Sequence, residues 1–273
     1  MTKLIQFLDE HQERKWGLWD GDKQAIPLEG DVFQYCGNLG GLGAGVTAVR
    51  VARLLPPVPV PPPNVFGIGL NYRQHAAETG AVPPENPLIF IKASTTVIGP
   101  GDPIVLPRSA PHEVDFEAEL AIVIGKTARS VPASSVADYV LGYTCANDVT
   151  ARDCQKRLDG QWARGKSFDT FCPLGPCLVS PDEFDPADAD IIGIRNGRRM
   201  QKGHTSDMIF SSERLVSYLS EQFTLLPGTV ICTGTPAGVG VARKPPVFLE
   251  PGDLVTVRVG GIGELANPVV ADR

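Results

Sequence analysis

Val114-Asp115-Phe116-Glu117-Ala118-Glu119-Leu120-Ala121-Ile122-Val123-Ile124-Gly125 alternates acidic and apolar residues and then turns wholly apolar. Side chains along a strand point alternately to opposite faces, so Asp115, Glu117 and Glu119 are expected on one face and Phe116, Ala118, Leu120, Ile122 and Ile124 on the other. A half-exposed strand would keep its acidic face polar to the end, but here that face continues as Ala121 and Val123. The strand is therefore expected to be buried on both faces. A carboxylate carried into such surroundings is costly unless a cation or hydrogen-bond donors meet it, and a neighbouring carboxylate adds to the cost. A hard divalent cation answers that need, and oxygen ligands suit Mg2+, Mn2+ or Ca2+ better than Zn2+. The competing reading is a row of acids on a solvated strand face, and this stretch alone leaves both open.

The chain around it has 273 residues, 42% hydrophobic and 21% charged, the composition of a soluble globular protein with a sizeable core. A net charge of -6 and a pI near 5.3 argue against a nucleic-acid or anionic-membrane partner. The small basic run Arg195, Arg198 and Arg199 brackets Asn196-Gly197, the signature of a hairpin turn. No apolar run is long enough to span a bilayer. The N-terminus lacks the apolar core of a secretion signal and carries acids early, so the cytoplasm is the expected compartment. Six cysteines without CxxC or zinc spacing are expected to be reduced core residues.

Towards the N-terminus, Lys3 to Leu8 and Lys15 to Trp19 read as strands, and Pro56 to Pro63 as a stiff extended segment. The expected division is a small β-rich domain over 1–55, a proline-rich linker over 56–64 and a main domain over 65–273. Val65 to Leu70 opens the main domain as a strand, and a short helix follows from Asn71, a candidate cap, to Gly80, a candidate stop. His75 and Glu78 lie three apart on that helix and share a face. A carboxylate beside an imidazole orients the ring and raises its basicity, as for a general base, although surface pairs of this kind are common. The proline-bounded loop from Val82 to Pro87 makes the helix a candidate lid. Beyond the acidic strand, Val140 to Ala146 reads as a strand ending at Asn147-Asp148. Thr150 reads as the cap of a helix that carries Arg152 and Gln155 on one face. Lys166 falls in a polar loop, Ser212 to Phe223 forms an amphipathic helix, and Gly234 to Gly240 reads as a tight turn rather than a phosphate loop.

These segments together resemble the fumarylacetoacetate hydrolase superfamily. The likeness rests on Gly-Leu-Asn-Tyr-Arg-Gln-His-Ala-Ala-Glu (69–78), the acidic stretch (114–125) and Asn-Asp-Val-Thr-Ala-Arg-Asp (147–153). Gly-Lys-Ser-Phe-Asp-Thr-Phe-Cys-Pro-Leu-Gly-Pro (165–176) and Thr-Gly-Thr-Pro-Ala-Gly-Val-Gly (233–240) complete it, in the expected order over residues 65 to 270. The last motif, with Arg-Lys-Pro-Pro-Val-Phe-Leu (243–249), points to one branch of that family.

The resemblance implies an α+β fold, a mixed β-sheet in a barrel-like roll with flanking helices. It implies Glu117, Glu119 and Asp148 as ligands of one Mg2+, with Mn2+ or Ca2+ possible, and His75 and Glu78 as a catalytic dyad on a mobile lid. Lys166 joins them as a catalytic cation, and Arg152, Gln155 and Thr235 face the oxo-acid end of a small substrate. Asp115 has no assigned role. A homodimer is implied as well. The expected activity is metal-dependent hydrolysis of a carbon-carbon bond in a 2,4-dioxo, acylpyruvate-like acid through a metal-stabilised enolate. The alternative, favoured by the finer likeness, is tautomerisation or decarboxylation of oxaloacetate at the same site. A catalytically silent oxo-acid- or metal-binding protein is the contrasting class, and the intact dyad argues against it.

Overall fold

The computed structural model describes residues 2–37, 45–158 and 160–272. Its centre is three adjacent antiparallel strands, Ala118–Ile124, Val140–Asn147 and Cys172–Val179, every residue of which is buried. Leu120, Ile122 and Ile124 enter one apolar cluster while Ala121 and Val123 enter another, so the strand Ala118–Ile124 is covered on both faces as its sequence requires. Each of these larger side chains contributes roughly 1.5–3 kcal/mol by leaving water.

The strands belong to a twelve-stranded mixed sheet. On one side, Val230–Cys232 pairs with Ala118–Ile124 and runs parallel to Val65–Gly69, and Leu88–Lys92 forms the outer edge. On the other side, Lys3–Leu8 pairs with Cys172–Val179, and Arg14–Trp19, Gln24–Leu28 and Val49–Arg50 continue the sheet outward. The N-terminal strands are thus hydrogen-bonded into the same sheet as the main segment. A five-stranded sheet runs Arg198–His204, Asp190–Arg195, Leu254–Val259, Gly263–Ala271, Ile104–Leu106. Its Ile191, Val257, Val259 and Leu265 meet Leu120 and Ile122 in the first cluster. Both sheets end in free edges, and no closed barrel forms among the described residues.

Helices are few and short. Helix α1 (Arg73–Thr79) ends at Gly80, whose left-handed φ of 67° lets its N–H close the last turn. Helix α2 spans Trp162–Lys166, and helix α3 spans Ser212–Gln222, capped by Ser211 and packed through Leu215, Val216 and Leu219. No described helix is long and apolar enough to cross a membrane.

Three local expectations give way to tertiary contacts. The acidic stretch is two strands rather than one. Val114–Asp115 pairs with Thr150–Ala151, and the ladder to Val140–Asn147 starts only at Ala118. At the break the N–H groups of Phe116, Glu117 and Ala118 donate to side chains of Asp115, Asn147 and Gln201. Thr150 is therefore a strand residue and caps nothing; the turn after it widens into the π-helix Cys154–Leu158. Nor does Asn71 cap α1, which starts after Tyr72; its amide joins Phe210 and Thr233 instead.

Candidate active site

The central register gathers the acids. Glu119 lies opposite Ala146, and the Asp148 N–H donates to the Glu117 carbonyl at 2.9 Å, so both strands deliver carboxylates to one sheet end. One oxygen each from Glu117, Glu119 and Asp148 falls within 4.8 Å of the others, and all three residues are buried. They line a cavity of about 220 Å3 together with His75, Arg152, Gln155, Lys166 and Thr235. Eight of the nine residues singled out from sequence thus meet in one cavity. Glu78 does not line it. Its carboxylate accepts from the Gly238 N–H at 2.9 and 3.0 Å and lies 3.4 Å from His75 Nδ1. With Nδ1 turned to Glu78, Nε2 is the ring nitrogen left to the cavity.

Lys166 is not a loop residue but the buried last residue of α2, its ammonium 4.9 Å from the Phe90 ring. It donates to Glu117 Oε2 at 2.8 Å, to Thr150 Oγ1 at 2.8 Å and to Asp148 Oδ2, which engages all three of its protons. Burial opposes its charge, yet Asp148 and Glu117 outweigh burial and raise its pKa. Arg152 grips Glu117 Oε1 at 2.7 Å, Asp115 Oδ2 at 2.7 and 3.0 Å and Gln155 Oε1 at 3.0 Å. Thr235 Oγ1 donates to the Ala118 carbonyl and accepts from Gln201, so its hydroxyl proton is already used.

Two charged groups without a sequence-based role complete the cluster. Lys92, ending the Leu88–Lys92 edge strand, is fully buried and donates to Asp148 Oδ1 at 2.5 Å. An apolar strand followed by lysine carries no signal of its own that the ammonium turns inward. Asp115, also fully buried, holds Arg152 from behind the cavity.

The cluster contains the carboxylates Asp115, Glu117, Glu119 and Asp148 and the cations Lys92, Lys166 and Arg152, one negative charge in excess. Glu119 is the carboxylate left without a cation, and among the described residues its side chain accepts one hydrogen bond, from the Gly234 N–H at 2.8 Å. Burial, and then the Asp148 and Glu117 charges, push its pKa well above the ordinary carboxylate value. Glu117 goes the other way: burial raises it, but Lys166 and Arg152 together outweigh that and lower it. A buried, unpaired carboxylate beside two others is a donor set that fits a hard divalent cation.

This fold and acidic centre define a class, and the chain belongs to the fumarylacetoacetate hydrolase family: the profile described as Fumarylacetoacetate (FAA) hydrolase C-terminal matches residues 64–270. Within it, the chain is 47% identical over 213 residues to the oxaloacetate tautomerase fahd2, mitochondrial, of Xenopus laevis, across 77% of this chain and 66% of that protein. The chain therefore spans about two thirds of that relative, which stands in the branch of the fumarylacetoacetate hydrolase domain-containing 2 proteins. A crystal structure of a 5-carboxymethyl-2-hydroxymuconate delta-isomerase from Mycobacterium smegmatis superposes with a TM-score of 0.84 at 41% identity, covering 99% of this chain and 100% of that one. The solved structure of a fumarylacetoacetate hydrolase from Exiguobacterium antarcticum gives a TM-score of 0.86 at 36% identity, covering 100% of both.

Proposed function

We propose that this chain interconverts the keto and enol forms of a 2-oxo dicarboxylic acid of the oxaloacetate type, using Mg2+. The observation that carries this reading is Lys156. It lines the cavity one residue beyond Gln155 and has no hydrogen bond or ion pair among the described residues. The residue is exposed, and partial burial of its ammonium and then the Arg152 charge lower its pKa, while Glu117 and Asp115 act the other way. A substrate seated with its oxo-acid head at the carboxylate cluster would supply Lys156 with an anion from its second carboxylate. The frog relative's name supports the same choice of substrate.

In this reading Glu117, Glu119 and Asp148 would hold Mg2+, whose chemistry there would be Lewis-acid stabilisation of negative charge on the keto oxygen, which makes the adjacent C–H more acidic. His75 Nε2 takes a proton from the carbon next to the keto group, with Glu78 on Nδ1 fixing the ring. Returned to the oxygen, that proton gives the enol; the reverse path restores the ketone. Arg152 steadies Glu117 and offers its free N–H to the head carboxylate. The walls of Phe90 and Trp162, in edge contact with ring centroids 5.9 Å apart, keep water from the reacting carbon.

A second reading, hydrolysis of a carbon-carbon bond in an acylpyruvate, draws on the same dyad, since His75 with Glu78 could activate a water. The Exiguobacterium relative's name accords with it. A proton NMR time course on oxaloacetate and, separately, acetylpyruvate, with Mg2+ and with EDTA, tests both. The tautomerase reading expects Mg2+-dependent keto–enol equilibration of oxaloacetate with acetylpyruvate intact. Acetate and pyruvate from acetylpyruvate would replace it with the hydrolase.

The cytoplasmic setting belongs to the same proposal, supported by six free, buried cysteines. So does a homodimer, supported by the unpaired edge strand Leu88–Lys92, where Leu88 and Ile91 are 40% and 51% exposed. The division into 1–55, 56–64 and 65–273 remains our proposal too; the family match begins at residue 64.

A further inference from the structure

The segment 238–241 uses its backbone as a strap between two carboxylates. Gly238 N–H donates to Glu78 on α1, while Gly240 and Val241 N–H donate to Asp115 Oδ1 at 2.9 Å and Oδ2 at 3.0 Å. Asp115 also accepts from the Phe116 N–H at 2.9 Å and from two nitrogens of Arg152. Five donors thus converge on one fully buried carboxylate that does not line the cavity. The approach of the strap is close enough to demand glycine. A Cβ at Gly240 would stand 2.5 Å from Asp115 Oδ1 and 1.9 Å from the Val247 carbonyl.

We propose that Asp115 is a positioning residue that sets the substrate-facing Arg152 and the Glu78 end of helix α1 together, through the strap 238–241. This rests on the oxo-acid reading of the site. One carboxylate fixes the guanidinium by its charge and the strap by its two lone-pair faces, so displacement of either is felt by the other. Closure of α1 is then latched where Glu78 meets Gly238, and Asp115 holds the latch at the right height.

Asp115→Asn tests this, because the amide keeps the shape but loses the charge and presents an N–H2 where an acceptor stood. With oxaloacetate and Mg2+, KM is expected to rise and kcat to fall, each at least about tenfold. Amide hydrogen exchange is expected to quicken about tenfold over residues 238–241 and 73–80 while α3 keeps its protection. Unchanged kinetics and exchange, or quickening that includes α3 equally, would overturn the proposal. Should the variant fail to fold, the wild-type protein decides. Adding Mg2+ and oxalate should protect 73–80 and 238–241 together, and protection of 73–80 alone would overturn the coupling. If the wild type does not turn over oxaloacetate, the substrate reading falls, and the exchange results still decide on Asp115.

Discussion

Replacing Lys92 by Met removes a cation from the cluster while nearly preserving side-chain volume, so the effect is electrostatic. Four buried carboxylates would then face two cations instead of three, and Asp148 would lose the ammonium 2.5 Å from Oδ1. Stranding a buried charge with no partner costs about 3–5 kcal/mol. Asp148 keeps Lys166 on its other oxygen, so the loss drops towards that of a hydrogen bond to a charged group, about 1.5–3 kcal/mol. At roughly 2–4 °C per kcal/mol for a chain near this size, the metal-free variant should melt about 3–12 °C lower. A divalent cation on the carboxylates should offset the deficit, because Lys92 no longer competes for Asp148. Bound ligand at a hundred times its Kd stabilises by about 2.7 kcal/mol, which covers all but the upper end of that loss. Calorimetric melting of both proteins, with EDTA and with Mg2+, measures this. The variant should be less stable in EDTA and gain more than wild type from Mg2+. Equal melting in EDTA, or an equal gain from Mg2+, would refute the role given to Lys92.

His75→Ala should retain Mg2+ and oxalate binding by titration calorimetry while turnover falls about 10²–10⁴-fold, the usual contribution of a general base; loss of binding as well would make the ring structural. Glu119→Gln should abolish the Mg2+-dependent rise in melting temperature without lowering metal-free stability at pH 7. Its pH dependence follows from the raised pKa: the folded state holds the Glu119 proton more tightly than the unfolded one. That stabilisation is present below about 4.5 and lost as pH rises through the folded value. Metal-free wild type should therefore lose stability relative to Glu119→Gln on going upward from pH 4.5, and parallel curves would count against the unpaired carboxylate.

How much of this could be read from the chain depends on how local each signal is. Glu117, Glu119 and Asp148 sit at strand ends with strong apolar patterns, and His75 and Glu78 share one helical face, so short-range periodicity exposes them. Lys92 meets Asp148 across 56 residues of chain, and no periodicity encodes that inward turn. Asp115 looked like one more acid on a continuous strand because alternation cannot show where a ladder breaks. The break depends on Asn147 and Gln201, two side chains from distant segments. The 233–240 stretch reads as a tight turn rather than a phosphate loop. Its N–H groups donate to the protein's own carboxylates, Glu119, Glu78 and, at Gly240, Asp115, with Val241 just beyond donating to Asp115 as well. The proline run before residue 64 is plain in the sequence, whereas the pairing of Lys3–Leu8 with Cys172–Val179 is a property of sheet order alone.

Helix α1 is fastened very unevenly. At its start, Asn71 bonds Phe210 and Thr233, Arg73 bonds the Asp207 and Met208 carbonyls, and the Gln74 N–H meets the Asp207 carboxylate. At its far end the chain turns at Gly80 into 81–87, where Val82 is 85% exposed, and Glu78 on Gly238 is the tie across to the strap. If it swings, such a helix pivots near Gln74. At 1.5 Å of rise per residue, His75 sits about 1.5 Å and Glu78 about 6 Å along the arm, so a 20° swing moves them roughly 0.5 and 2 Å. In such a swing the imidazole would barely shift while the carboxylate was carried off it, so His75 would lose its partner before it left its seat.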